Sequence, residues 1–405
     1  MNGALDVLHV VPRLHQTGGL EHQAAALARA QAQVGQRVRL VTHAHAGAPA
    51  LERRDGVETH RLPHGLRRYH PGTWWRSLDR RPDVIHAHGL DLLGARVLAL
   101  GRRAGVPAVV KLASPGDLDL FLRPGDAVAA AAHDERAPAP GALRRVLRRA
   151  AWASLSRAEL FLALDDATAA RLAALALPHA RGSNGVDCTH FSPPDATRRA
   201  AARAALGLAQ GELVLAGVGR LAGRKDQATL IEALGRLAGA AAQAGGPPAP
   251  VGGRAGPVRL LLAGDGPQRG ALEARIRAAG LLGRVQLLGE LPDVRELLHA
   301  ADVFVHAARA EGQPNAALEA MACGLPLVLS DIPGHRALQA GEAALLFAPG
   351  DAAELAARVA ALRDAPARRT ALGLVARRQA LETCSIEVVA ARTVVDYRRL
   401  LAPAD

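Results

Sequence analysis

The chain has 405 residues, more than a single hydrophobic core ordinarily serves, which points to two domains. Apolar residues make up 49% and charged residues 22%, the balance of a globular protein and not of a disordered one. A formal net charge of +12 favours anionic partners such as nucleotides or phospholipid surfaces, while an aromatic content of 2% is too low for single-strand stacking platforms, so no nucleic-acid partner is expected.

The first apolar run, Leu5 to Val11, reads as a strand with no basic leader before it, and no stretch approaches a membrane span. Any membrane contact is therefore expected to be peripheral. An alanine-rich helix over Leu20 to Val34 follows, then strands over Val38 to Thr42, Val84 to Ala87 and Ala108 to Leu112. This is a βαβ rhythm, which implies a parallel sheet covered on both faces. The turn after the first strand lacks Gly-x-Gly-x-x-Gly and the acidic residue beyond it, which disfavours a dinucleotide-dependent dehydrogenase.

His86 and His88 alternate along their strand and share one face, where imidazoles either pack in the core or reach a ligand. Core packing is the expectation for His86; for His88, nearer the carboxyl end, both readings stand. Thirteen of the sixteen histidines precede residue 195, yet no metal-ligand spacing connects them and no metal site is expected.

Lys111 ends the third of these strands and, with Lys225, is one of only two lysines in the chain. Each marks either chance retention or a place where a compact ammonium serves better than a planar guanidinium. Asp117-Leu118-Asp119 fits a three-residue metal pattern of no specificity, and a bound metal is not expected from it.

A helix over Gly141 to Arg157 would place Arg144, Arg145, Arg148 and Arg149 on one face, either as a solvated surface or as a contact with an anionic bilayer. Asn184-Gly185 suits a left-handed turn, and Phe191-Ser192-Pro193-Pro194 then marks a domain boundary.

The strand and helix rhythm restarts with apolar runs at Leu213 to Gly219, Val258 to Gly264, Val285 to Leu288, Val303 to Ala307 and Leu327 to Ser330. Residues 245 to 257 are too rich in glycine and proline to form an element, and from Asp351 the chain reads as helical to its end. The three cysteines, Cys188, Cys323 and Cys384, are widely spaced and fit a reducing cytoplasm.

The densest signal lies between Glu311 and Pro326. It follows a strand, so the loop carrying Glu311 falls where parallel sheets bind ligands, and Pro314 and Asn315 suit a helix start whose N-terminus favours phosphate. Glu319 then sits more than one turn inside that helix. Two carboxylates so placed accept hydroxyl hydrogen bonds, which suits a sugar and a ribose. Gly264 and Gly266 flank a tight turn where backbone can approach a ligand, and Arg220 and Lys225 follow the first strand of this half, where two cations stabilise a departing diphosphate.

These residues resemble the donor domain of the family 4 glycosyltransferases of GT-B fold, with the G-R-L...K stretch at Gly219 to Lys225 and the paired-glutamate motif at Glu311 and Glu319. The resemblance implies that Arg220 and Lys225 bind the donor diphosphate, Glu311 the sugar and Glu319 the ribose, with Gly264, Gly266, Gly312, Pro314, Asn315 and Leu318 lining the donor site.

In the N-terminal half, Gly18-Gly19-Leu20-Glu21 is similar to the family's glycine loop against the donor phosphate or acceptor. Asp83 to His88 matches its D-V-I-H-x-H strand, and Asn184 to Pro193 its segment before the linker. Many members end the strand here written Ala108 to Leu112 with a histidine near the reacting sugar; this chain has Ala113 or Ser114 in its place. Lys111 or Asp117 is then expected to face the cleft and act at the reaction centre or acceptor.

The implied fold is α/β, two Rossmann-like domains facing each other across a cleft. The resemblance implies an acceptor domain over residues 1–192, which the last helix often rejoins in this family, here the segment 385–405, and a donor domain over 193–384. The implied reaction is retaining transfer of a hexose-type unit from a nucleoside diphosphate sugar to a saccharide or lipid-linked hydroxyl acceptor. It would take place in the cytoplasm or at the inner membrane face, with no cofactor or metal. A non-catalytic nucleotide-sugar binding protein, an epimerase or an inverting transferase of the same fold are the alternatives.

Overall fold

Strand β1 (Asp6–Val10) is buried along its whole length, as a central strand covered on both faces must be. It belongs to a computed structural model that describes residues 3–14, 18–63, 71–112, 117–118, 151–243, 257–338 and 343–403. Arg144, Arg145, Arg148 and Arg149, together with Ala113, Ser114 and Asp119 and nearly all of 245–257, lie outside the described residues. The chain divides into two compact units, Met1–Gly185 with Cys384–Asp405, and Val186–Thr383. The division thus falls just before the proline-rich segment, and the last helix belongs to the first unit.

The first unit holds an eight-stranded sheet: β1, β2 (Arg37–His43), β3 (Leu51–Arg54), β4 (Val57–Leu62), β5 (Val84–His88), β6 (Ala108–Lys111), β7 (Leu160–Ala163) and β8 (His179–Arg181). Their order is β3-β4-β2-β1-β5-β6-β7-β8, with only the β3–β4 hairpin antiparallel. That hairpin turns through Asp55 and Gly56, both at positive φ, a two-residue turn whose twist matches its strands.

Alternation along β1 sends Leu8 and Val10 to one face, where Ile85, Leu93, Val97 and Phe161 pack. Val7 turns to the other face, against Val84, Val109, Val394 and Tyr397. The helices Gly19–Gln33 and Ile386–Leu401 meet over that second face through Leu27, Ala30, Ile386, Val389 and Ala390. Asp6 and Arg39, each 1% exposed in its side chain, form an ion pair between β1 and β2, and Arg39 also donates to the Arg80 carbonyl.

One expectation fails here. Neither Asn184 nor Gly185 has a positive φ among the residues that do. Glycine is required at 185 because any Cβ would collide with Ile386 at the start of the last helix. The Gln23 side chain locks the same peptide, accepting from the Gly185 N–H and donating to its carbonyl, both at 2.8 Å. Close packing, and not turn chirality, explains the residue.

The second unit is a six-stranded, wholly parallel sheet of β9 (Leu213–Val218), β10 (Val258–Ala263), β11 (Val285–Gly289), β12 (Val303–His306), β13 (Leu327–Ser330) and β14 (Ala344–Phe347). The order is β11-β10-β9-β12-β13-β14. Leu230, Ile231 and Leu234 of the helix Gln227–Gln243 pack with Leu355, Val359 and Leu362 of Ala352–Arg363 over Leu215, Leu260 and Val305. Strand order reverses at β9 and β12, so the crevice past their carboxyl ends is the switch point where open α/β sheets take ligands. Beyond Asp351 the chain is helical in three pieces, broken at Pro366 and at Ser385, whose hydroxyl caps the last helix. Among the described residues no helix is long and apolar enough to cross a membrane.

Candidate functional site

In the second unit the loops after β9 and β12 bring Lys225 and Glu311 together as an ion pair, with side chains only 13% and 11% exposed. Lys225 closes a short 3-10 turn, Gly223–Lys225, and Asp226 follows in the left-handed conformation. Arg309, in the Glu311 loop, reaches back to the Asp226 carboxylate at 2.9 and 3.0 Å, and its N–H donates to the Arg224 carbonyl. The two loops are therefore clamped through backbone and side chain. Arg220 lies exposed on the same β9 loop, with no hydrogen-bond or ion-pair partner for its guanidinium among the described residues.

The helix Asn315–Ala322 starts after Pro314, and its N-terminus adjoins the Glu311 loop. Gly312 and Pro314 are buried and Leu318 is wholly inside the core, so the Leu318 side chain is not open to a ligand. Glu319 is half-buried with no partner among the described residues, and burial, reinforced by the Asp293 carboxylate, pushes its carboxyl up to about 7.

Gly264 and Gly266 play a different part from the one expected of them. Both have positive φ, and a Cβ on either would strike the backbone of Gly219 or Leu221. Their closeness serves the β9 loop, which they hold by backbone bonds such as Leu221 N–H to the Asp265 carbonyl at 2.9 Å. Gly334 does the same on the other side, where a Cβ would collide with the Glu311 and Gly312 carbonyls.

Beneath these loops lies a small pocket lined by Gly219, Leu221, Lys225, Leu262 and His306 among others. His306 Nδ1 meets His335 Nε2 at 2.8 Å, and His335 Nδ1 meets the Ser330 carbonyl at 2.6 Å. His306, His335, Ser330, Arg309 and Asp226 were invisible to motif reasoning, because strand pairing and loop packing bring them together.

In the first unit Gly18 caps the helix Gly19–Gln33, and a side chain there would collide with the Glu21 carboxylate folded over it. The N-terminal histidines, expected not to cluster, do so: ring nitrogens of His9, His86 and His88 all lie within 4.8 Å of one another. Register explains it, since His9 pairs with His86 across β1 and β5 while His88 lies two residues along the same face.

His9 Nε2 meets the Gln31 side-chain oxygen and His9 Nδ1 meets His88 Nε2, both at 2.8 Å, while His86 Nδ1 meets the Tyr397 hydroxyl at 2.5 Å. His86 and His88 stack at 4.3 Å. Burial lowers His9 to about 4 and the other two well below the ordinary imidazole value, so the rings are neutral near pH 7. With both His9 nitrogens engaged and the Lys111 charge acting on all three rings, the set is wired as a buried hydrogen-bond network.

Lys111, expected to face the cleft, is instead 6% exposed, and its ammonium donates to the Ser183 carbonyl at 2.9 Å. Burial brings it down to about 7. It pairs in register with His88 at the ends of β6 and β5, which places it inside the network's surroundings. Asp117 is half-buried in the short described stretch 117–118. Cys188, Cys323 and Cys384 are buried, and none forms a disulfide.

Residues 212–364 match the profile of the family described as Glycosyl transferases group 1, and residues 17–190 that of Glycosyltransferase Family 4. The chain is 32% identical to D-inositol 3-phosphate glycosyltransferase 1 of Catenulispora acidiphila, over 88% of this chain and 84% of that protein. It is 31% identical to the GDP-mannose-dependent alpha-mannosyltransferase of Mycobacterium tuberculosis, over 70% of this chain and 67% of the relative. Among solved structures, Anabaena HepE in complex with UDP superposes with a TM-score of 0.75 at 20% identity, covering 98% of this chain and 100% of HepE.

Proposed function

This chain belongs to the family 4 glycosyltransferases, of GT-B fold, and on that premise we propose that it transfers a hexose-type unit from a nucleoside diphosphate sugar to a hydroxyl acceptor with retention of anomeric configuration. The acceptor class we assign is a saccharide or lipid-linked glycan of surface polysaccharide or glycolipid synthesis. The observation that carries the reading is the meeting of Lys225 and Glu311 at the carboxyl ends of β9 and β12, with an exposed Arg220 on the same β9 loop whose guanidinium has no partner among the described residues.

In this reading the diphosphate lies along the β9 loop. Lys225 and Arg220 neutralise the charge that grows on it as the glycosidic bond breaks, and this charge is larger in the transition state than in the bound donor. Glu311 accepts hydrogen bonds from sugar hydroxyls and Glu319 from the ribose. The departing diphosphate assists removal of the acceptor proton on the same face of the sugar, so no protein nucleophile is required. The name of the mannosyltransferase relative and the HepE complex with UDP suggest GDP-mannose and UDP sugars as the first donors to try.

The test is turnover of UDP-glucose and GDP-mannose with simple glycoside acceptors, followed by NMR of the product's anomeric proton. Retention, with loss of activity in Glu311→Ala, is the expected result. An inverted product, or full activity in Glu311→Ala, overturns the assignment.

A further inference from the structure

The described residues that line the small pocket beneath the β9 loop are glycine or apolar except for Lys225, Gln227 and His306. Gln227 and His306 are 5% and 4% exposed, and each keeps one buried atom that meets no partner, Gln227 Oε1 and His306 Nε2. Orphaned polar atoms cost stability unless something engages them. A Cβ placed on Gly219 would lie 3.7 Å from Lys225 Nζ and 3.9 Å from His306 Nε2, so the missing side chain leaves space before both nitrogens, and no direct hydrogen bond joins them.

Both orphans are acceptors. Gln227 gives its side-chain N–H to the Arg220 carbonyl at 3.0 Å, and a carbonyl can only accept, which fixes the amide with its oxygen as the unpaired end. The same logic settles the imidazole. The Ser330 carbonyl, at 2.6 Å, requires a proton on His335 Nδ1, so a neutral His335 offers a lone pair at Nε2, which takes the proton of His306 Nδ1 at 2.8 Å. His306 Nε2 is left with a lone pair. Burial keeps both rings neutral near pH 7, holding His335 down to about 4 and His306 well below the ordinary value.

Two lone pairs in one pocket call for a group that can give two hydrogens. An ionised phosphate has none to give, a hydroxyl has one, and a metal cation would meet the Lys225 ammonium. Water gives two and still accepts one, and an ammonium with three N–H donors is not exhausted by its ion pair with Glu311. We propose that Gln227, His306 and Lys225 bind a single water molecule here, which donates to Gln227 Oε1 and His306 Nε2 and accepts from Lys225 Nζ. Through that water the two acceptors become positioning residues for the lysine. They tie its ammonium to the start of the helix Gln227–Gln243 and to the end of β12 without a further negative charge that would repel a diphosphate. This consequence for the ligand rests on the donor-site reading above; the water site does not.

The water is tested first in the ligand-free, full-length protein. A crystal structure that orders solvent is expected to show one water within hydrogen-bond distance of all three groups. In solution, oxygen-17 relaxation dispersion counts long-lived internal waters. Gln227→Leu and His306→Phe should each hold one fewer than wild type, while His306→Gln, which keeps an acceptor, holds the same number. If one variant does not fold, the other, on a different element, reads the same site. An unchanged count in the variants that fold, or a water that touches fewer than three of the groups, overturns the proposal.

The consequence for the lysine is read by calorimetry with UDP and GDP. His306→Phe is expected to weaken whichever of them binds by about tenfold, the worth of one hydrogen bond to a charged group. The loss should appear in the wild-type background and not in Lys225→Met, with His306→Gln restoring the affinity. Equal losses in the two backgrounds overturn the positioning of Lys225. A wild-type protein that holds the water but binds neither nucleotide leaves the water site standing and overturns the donor reading instead.

Discussion

Glu319 carries a cost in the unliganded protein that a ligand would relieve. Its carboxyl is raised from 4.5 to about 7, so the stability it contributes is complete below 4.5 and is lost as pH climbs through about 7. Glu319→Gln is accordingly expected to unfold at a higher temperature than wild type at pH 8, by about 1–3 kcal/mol at most, and to converge with it below pH 5. The same variant should lose much of the stabilisation that added nucleotide gives, which differential scanning fluorimetry reads directly.

Lys111 has the opposite sign. Lowered to about 7 from 10.5, it contributes stability that is present above 10.5 and disappears as pH falls through 7. Lys111→Met should flatten the decline in Tm between pH 10 and 7 while leaving turnover unchanged, and a several-fold fall in kcat would return the lysine to the chemistry.

Elements differ in how plainly the chain writes them. Parallel strands buried on both faces are continuous apolar runs, so β1, β2, β5, β6, β9, β10, β12 and β13 could be read directly, as could the edge strand β11 from its Val285, Leu287 and Leu288 and the glutamate pair, whose motif is local. β3 could not. Its residues Leu51–Arg54 are three parts charged and sit at a solvent-facing edge, where apolar periodicity has no reason to appear. The histidine pair of the second unit was equally hidden, since His306 and His335 are 29 positions apart and meet only through the parallel pairing of β12 and β13.

The Asp6–Arg39 pair shows what strand pairing demands of buried charge. Arg39→Met should cost about 3–5 kcal/mol in chemical denaturation by leaving the buried carboxylate only its longer contact with Arg37 at 3.5 Å, while adding Asp6→Leu should recover most of it. Additive losses would refute a paired role.

For the molecule as a whole, the chain leaves the first unit at Gly185 and re-enters it at Cys384. The re-entering helix supplies polar completion as well as apolar cover, since the Tyr397 hydroxyl meets His86 and also receives the Gln31 amide at 3.3 Å. Tyr397→Phe removes that hydroxyl and leaves both partners buried, so the first unit is expected to lose about 1–3 kcal/mol, measured by hydrogen exchange of β1 and β5 amides. The second unit's amides should keep their protection, and equal loss in both would show the hydroxyl's influence is not confined to its own unit.

This discontinuity fixes an order of assembly during synthesis. The ribosome releases all eight strands of the first sheet, and then the entire second unit, before it makes the tyrosine that closes the histidine network. Val7, Val84, Val109 and Leu162 must therefore wait for their cover until nearly every other residue has emerged, and the nascent first unit is the part of the chain most in need of a chaperone.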